Sequence, residues 1–466
     1  MVERCQRMLT HLQIKNFKGW ENTGRLRLAP ITVFFGTNSS GKSSIGQFLM
    51  MLRQTANSPD RTRVLHPGDD STDVDLGTLE DIVHRHDITR QIEFTIGWQR
   101  PKPLEIIDPQ STQSFSAHEI EFNTRIALQK GKGTRALSQG FSYKFNGEGA
   151  SPFSAGMLGR EKSGKFKLET QGFTAVRKLG RAWDLPHPTR FFGFPDELNL
   201  YFQNAERLND LAFDFQNVLQ AFSYLGPLRE EPRRHYPWAG ESPQDVGKRG
   251  DRWVSALLAA SDRRISRGYK LPGKDFEILI ASWLKELGLI HQFTVRPMAE
   301  GARDYRVRVQ VNPGSSEVSI PDVGFGVSQV LPVLVQSFYA PPYSTVIIEQ
   351  PELHLHPAIQ QNLADLFIGA SKAREKGSER KVQFLIESHS EHFLRRLQRR
   401  IAENEIHRSD VAAYFVDTDS GASRITELDV DLYGRIENWP KDFFGDQMTD
   451  VAEMQKASIR RQMENR

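Results

Sequence analysis

Gly36-Thr37-Asn38-Ser39-Ser40-Gly41-Lys42-Ser43 satisfies the pattern G-x-x-x-x-G-K-[ST] at every required position. The residues before it, Ile31-Thr-Val-Phe-Phe35, read as a buried strand, and Ile45, Phe48, Leu49 and Leu52 follow at helical spacing. Strand, glycine-bearing turn, helix is the context in which such a loop cradles phosphate. The glycines let backbone N–H groups curl toward phosphate oxygens, and the positive end of the helix adds to the attraction. The candidate phosphate-binding residues are therefore Gly36, Asn38, Ser39, Ser40, Gly41, Lys42, Ser43 and Ser44. Lys42 is expected to reach the β- and γ-phosphates of ATP, and the Ser43 hydroxyl to ligate Mg²⁺.

Two further segments repeat this grammar. Thr345-Val-Ile-Ile348 leads into Glu349, with a helix expected from Pro357 that carries Ile359, Leu363 and Leu366. Val382-Gln-Phe-Leu-Ile386 leads into Ser388-His389-Ser390 and a helix with Phe393, Leu397 and Ile401. An open α/β sheet follows, with its ligand at the carboxyl ends of the strands. The two halves of that sheet lie far apart in sequence. Between them, residues 90–195 look β-rich, 196–222 and 251–290 mainly helical, and Tyr305–Val311 extended. The expected organisation is one split head. Residues 1–90 form its N-terminal half, 91–195 a β-rich insertion and 196–300 a helical arm; residues 301–420 form its C-terminal half and 421–466 a C-terminal segment. From Gln447 onward the chain reads as polar and helical.

Composition narrows the class. Apolar residues make up 38% and charged residues 26%, as in an ordinary globular protein. A net charge of +3 is too small to argue for nucleic acid. No run of about eighteen apolar residues occurs, so no membrane span is expected. The opening MVERCQRML lacks the apolar core of a signal peptide. Cys5 is the single cysteine, so no internal disulfide can form and a cytoplasmic location is expected. His354 with His356, and His84 with His86, lack further ligands at a credible spacing for zinc.

The remaining chemistry gathers around the second and third strands. Glu349 stands where a P-loop ATPase places its metal-side carboxylate, so Glu349 and Ser43 are the candidate magnesium ligands. No N-K-x-D occurs, which removes the guanine signature of small GTPases. In ATPases of the ABC type the next residue is a glutamate that polarises the attacking water; here it is Gln350. An amide can orient water but cannot take its proton. Either hydrolysis is slow, or Glu352 or His389 takes the role, or Gln350 suffices as glutamine does in GTPases. His389, just past a buried strand, occupies the place of a γ-phosphate-sensing histidine. Asp322-Val-Gly-Phe-Gly-Val-Ser328-Gln329 opens an apolar helix, and its spacing from Glu349 matches a signature loop. Gly326 and Ser328 would then cap ATP bound by a second copy, giving a sandwich of two chains; an ordinary helix cap by Ser328 is the alternative.

These stretches resemble a family. IEQPELHLHP (Ile348–Pro357), DVGFGVSQVLPVL (Asp322–Leu334) and IESHSEHFLRRLQRRI (Ile386–Ile401) are similar to bacterial AAA-type ATPases related to the OLD, RecF and SMC heads. YLGPLREEPRRHYPW (Tyr224–Trp238), VDLGTLEDIVHRHD (Val74–Asp87) and the closing YGRIENWPKDFFGDQ (Tyr433–Gln447) fit the same group. The resemblance implies a split ABC-type (SMC/OLD-like) α/β P-loop head with a β-rich lobe and an inserted helical arm. It also implies the glutamine at Gln350, which members commonly carry. Many such ATPases act in two-gene antiphage systems beside a separate effector; the Septu ATPase, paired with an HNH nuclease, is the nearest analogue. OLD proteins carry their own Toprim nuclease. The stretch after His389 is too short for that domain, and Asp429 with Asp431 is no substitute.

Two readings follow. The leading one is a homodimer or larger assembly that holds ATP and restrains a separately encoded HNH-type nuclease, with slow turnover. The competing one is a RecF- or SMC-like ATPase of repair or recombination that is stimulated by DNA. Arg395, Arg396, Arg399 and Arg400, and the group Arg229, Arg233 and Arg234, suit DNA phosphates, a partner's carboxylates or a solvated face.

Overall fold

The sheet that carries the phosphate loop draws its strands from segments more than three hundred residues apart. The computed structural model describes residues 7–131, 133–147, 149–160, 164–180, 183–440, 443, 452–458 and 461. Cys5 and Gln447 lie outside the described residues; 452–458 are helical. Strand β1 (Met8–Phe17) comes first, and β2 (Ile31–Gly36) runs into the loop that opens helix α1 (Lys42–Asn57).

The β-rich segment continues from β1. Strands β3 (Ile92–Ile107), β4 (Ser114–Lys130), β5 (Thr134–Asn146), β6 (Ser154–Gly159) and β7 (Phe166–Gln171) follow β1 in the order β1-β3-β4-β5-β6-β7. All are antiparallel. Residues 20–22 and 26–27 flank β1. Burial alternates along β4, where Phe115, Ala117, Ile120, Phe122, Ile126 and Leu128 are covered, as in an antiparallel sheet with one packed face. Phe122 stacks on Phe215 of the helix Asn209–Gln220, with ring centroids 4.4 Å apart. The lobe is thereby fastened to the helical segment.

Strand β8 (Phe222–Leu225), helix α2 (Phe325–Tyr339), strand β9 (Thr345–Glu349), helix α3 (Asn362–Ser371), strand β10 (Gln383–Glu387), helix α4 (Glu391–Ala402) and the hairpin β11 (Val411–Asp419) and β12 (Ala422–Glu427) complete the head. Its sheet runs β8-β9-β10-β2-β11-β12; the first five strands are parallel and β12 is antiparallel. The helix expected from Pro357 comes in two pieces, Pro357–Gln360 and α3, and Leu363 and Leu366 are buried in the second. The 196–300 segment supplies the helices Asn209–Gln220, Trp253–Ala259 and Phe276–Glu286. It also supplies β8, a fully buried strand that a helical reading of this region passes over.

The strand period of two sorts the core into two layers. Phe34, Ile347, Leu385, Ala412 and Tyr414 pack in one cluster with Ile45, Phe48 and Leu49 of α1 and with the antiparallel lobe. Ile31, Val33, Phe35, Val346, Ile348, Phe384 and Ile386 pack in the other with α2, α3 and α4. The sheet therefore has α1 on one face and α2 on the other.

Candidate functional site

At the end of β2, the chain turns in a way only glycine tolerates. Gly36 has φ +140°, and a Cβ there would lie 1.8 Å from the Val416 carbonyl oxygen of β11. Gly41, at the N-cap of α1, has φ +97°. Between them Thr37, Asn38 and Ser39 form an exposed tip, while Ser40 is buried and donates to the Thr37 carbonyl at 2.8 Å. Ser44 donates to the Gly41 carbonyl at 2.5 Å and accepts from Trp20 Nε1 at 2.8 Å. Trp20 thus braces the first turn of α1 from the lobe, a support that no motif announces.

Lys42 Nζ donates to the carbonyls of Gly36 at 3.1 Å and Thr37 at 2.5 Å. Burial lowers its pKa, and Glu387 and Glu352 oppose the shift. The ammonium thus stands inside the loop among carbonyls and carboxylates. The Ser43 hydroxyl lies beside the Glu387 carboxylate, whose pKa burial raises and Ser43 and Lys42 lower.

Glu349 follows Ile348 by one residue, so it shares the α1 face with Ile347. Tyr224 Oη donates to its Oε1 at 2.8 Å. Burial, reinforced by Glu387, pushes its carboxyl up to about 7, against the pull of Tyr224, Arg229 and Lys18. Gln350 has φ +45° and donates its N–H to the Glu387 carbonyl at 2.8 Å. Glu352 is buried, and its Oε1 accepts the His389 backbone N–H at 2.6 Å. Burial, with Lys42 nearby, lowers the pKa of the His389 ring, and the adjacent Gly36 backbone opposes the shift. Loop, Glu349, Gln350, Glu352 and His389 therefore converge at the carboxyl ends of β2, β9 and β10.

Gly326 and Ser328 are not part of that convergence. Ser328 Oγ donates to the Phe325 carbonyl at 2.7 Å within α2, and Gly326 packs against His354 and Leu355. The ring of Phe325 meets His354 edge-on at 5.2 Å. Helix α2 lies across the sheet from α1, so the two groups of candidate residues in one chain are on opposite faces.

The arginine groups are largely engaged internally. Arg395 pairs with Glu391 and lies over Trp439; Arg396 and Arg400 pair with Asp365, and Arg399 with Glu403. Arg234 forms a two-pronged pair with Asp322 at 2.7 and 2.9 Å, and Arg233 pairs with Glu230. Arg229 is buried and donates to the carbonyls of Glu349 at 2.8 Å and Gln350 at 3.1 Å. His356 caps the helix it precedes, and His84 Nδ1 bonds the Lys18 carbonyl. Among the described residues, no group of three or more His, Cys, Asp or Glu forms a metal cage. Motif reading missed Trp20, Lys18, Tyr224 and Glu387 and took Arg229 only as one of a basic group, because each reaches the site through tertiary packing.

Residues 189–395 match a family model described as an AAA domain, putative AbiEii toxin, Type IV TA system, and residues 8–164 match an AAA ATPase domain. Residues 406–454 match a protein family of unknown function, DUF3696. No curated protein matches the chain by sequence. Among solved structures, an SMC head bound to the C-winged helix domain of ScpA is 12% identical, with 91% of this chain and 98% of that chain covered and a TM-score of 0.43. The SMC head domain from Thermotoga maritima is 11% identical, with 91% and 100% covered and a TM-score of 0.38. An SMC head with an extended coiled coil, bound to the C-terminal domain of ScpA derived from Pyrococcus furiosus, is 10% identical, with 91% and 96% covered and a TM-score of 0.42. The fold is the split α/β P-loop head expected from the sequence, with one parallel sheet built from distant segments. The two portions that match AAA-domain models, residues 8–164 and 189–395, meet in one parallel sheet around the Gly36–Ser44 loop.

Proposed function

We propose that this chain is an ABC-type ATPase that binds ATP with Mg²⁺ on the Gly36–Ser44 loop and works as a nucleotide-held switch. The observation that carries the reading is the gathering of Lys42, Ser43, Glu349, Gln350 and His389 at the carboxyl ends of adjacent strands of the parallel sheet. The backbone N–H groups of the loop and Lys42 would bind the phosphates. Ser43 and Glu349 would hold the metal, whose part is to neutralise charge on the β- and γ-phosphates. Hard oxygen donors suit Mg²⁺, which takes one or two carboxylates and completes its shell with phosphate and water. Gln350 orients water without accepting its proton, which supports slow turnover.

Gly326 and Ser328 would cap the γ-phosphate of a second copy. Their place across the sheet from their own α1 supports this, because one chain does not unite the two groups. Two chains with two ATP molecules then form the closed state, and that assembly would scaffold and restrain a separately encoded HNH-type nuclease in antiphage defence. The reading as a DNA-stimulated repair ATPase is the alternative; the arginines it needs pair with Glu391, Asp365, Glu403 and Asp322, yet Arg395, Arg399 and Arg234 are more than half exposed and such surface pairs exchange readily.

The test is ATP binding and assembly size for wild type and Lys42→Ala. Loss of a charge-assisted phosphate contact is expected to weaken binding by roughly 10- to 100-fold and abolish ATP-dependent dimerisation. Equal binding by both proteins, or wild-type turnover of tens per second, would sink the switch.

A further inference from the structure

Glu387 is the residue at the site with no assigned task. It ends β10, the strand between β2 and β9, and stands level with Phe34 on one side and Glu349 on the other. The strand alternation puts its side chain on the α1 face with Leu385, as it does Glu349 with Ile347. It is only 7% exposed. Its carboxylate lies beside the Ser43 hydroxyl and the Lys42 ammonium, both of which oppose the rise in its pKa, while its Oε2 is buried without a protein donor. A buried carboxylate oxygen without a donor is costly, and it marks a place where another positive group is to be received. Its backbone carbonyl meanwhile holds the Gln350 N–H at 2.8 Å.

A hydroxyl that gives its proton to a carboxylate turns its lone pairs elsewhere. Such an outer partner fixes the orientation of a metal ligand and raises its basicity. We propose that Glu387 orients the Ser43 hydroxyl as a ligand for a divalent cation and supplies, with Glu349, the second negative charge of the metal site. Gln350 is neutral and cannot provide that charge. Strand order explains why Glu387 can: β10 separates β2 from β9, so its tip is the lateral neighbour of the loop strand. Glu387 is thus a positioning residue for the cation that accompanies the nucleotide. This assignment rests on the nucleotide-site reading above.

The test uses the full chain, a fluorescent ATP analogue and a Mg²⁺ titration, with a parallel measurement in EDTA. Glu387→Gln is expected to raise the Mg²⁺ concentration for half-maximal nucleotide binding by roughly tenfold or more. Nucleotide affinity in EDTA should equal or exceed that of wild type, because an anion near the phosphates has gone. The Mn²⁺ resonance signal of the nucleotide complex should weaken in step. Glu387→Asp keeps the charge on a shorter stem and should fall between the two. Ser43→Ala combined with Glu387→Gln should cost less than the product of the single effects, since both act through one hydroxyl. Should Glu387→Gln not fold, Glu387→Asp against Ser43→Ala decides the matter. A Mg²⁺ titration like that of wild type, or equal loss of affinity with and without metal, overturns the assignment alone. A wild-type chain that binds no ATP overturns the nucleotide reading and this one with it.

Discussion

Arg229 grips the backbone of Glu349: its Nη2 donates to the Glu349 carbonyl at 2.8 Å, and its Nη1 to that of Gln350 at 3.1 Å. The guanidinium is buried, which lowers its pKa to about 10, and Glu352 and Glu349 oppose the shift. It therefore holds the chain where Gln350 adopts its left-handed φ of +45°. Arg229→Ala removes a buried cation beside two buried carboxylates and strands three carbonyls, those of Pro227, Glu349 and Gln350. A loss of about 3 kcal/mol in stability is expected, read from chemical denaturation. Arg229→Lys should recover only part of it, because an ammonium cannot reach both carbonyls in one plane. A wild-type midpoint for Arg229→Ala would show that the grip is unimportant.

Acid should stabilise the metal-free protein through Glu349. Its carboxyl is raised by burial from an ordinary 4.5 to about 7, so the folded chain binds this proton more tightly than the unfolded one. That contribution is complete below about pH 4.5 and disappears as pH rises through about 7. Its size is roughly 3 kcal/mol. Denaturation in EDTA across that window should show stability from this group falling with pH, and Glu349→Gln should flatten the slope. Glu387 and Glu352, also raised by burial, leave a residual slope of the same sign.

Gln350→Glu should quicken phosphate release. It puts a proton acceptor where the amide only orients water, and general-base assistance is worth roughly 10²-fold or more. The backbone hydrogen bond to Glu387 does not depend on the side chain, so the fold should persist. No gain in a phosphate-release assay would mean that another group already accepts the proton.

Gly36→Ala should fail on steric grounds. The new methyl would collide with the Val416 carbonyl, a backbone atom of a central strand, at a φ that alanine rarely adopts. We expect a loss of about 3 kcal/mol or more, with ATP binding abolished even where the protein folds. The comparison is Gly377→Ala, also at positive φ, where nothing lies within 4 Å of the added atom. It should cost far less.

The sequence by itself determined the loop, the parallel strands around it and the split between them. Gly36 and Gly41 mark backbone turns that other residues resist, and Lys42 and Ser43 follow at fixed offsets on the first turn of α1. Ile31–Phe35 and Thr345–Ile348 are buried throughout, and apolar apart from Thr32 and Thr345, because helices or a second sheet cover both faces. Such requirements are local, and so they are written locally. Only the tertiary structure decided which strand tip adjoins the loop. Parallel pairing joins residues hundreds of positions apart, and the lateral order β9-β10-β2 leaves no trace in any one segment. That order brings Glu387 to Ser43, and the same long-range packing buries Arg229, which reads as one arginine of a basic run. It also sets Ser328 on the opposite face from Lys42, because α1 and α2 cover different sides of one sheet.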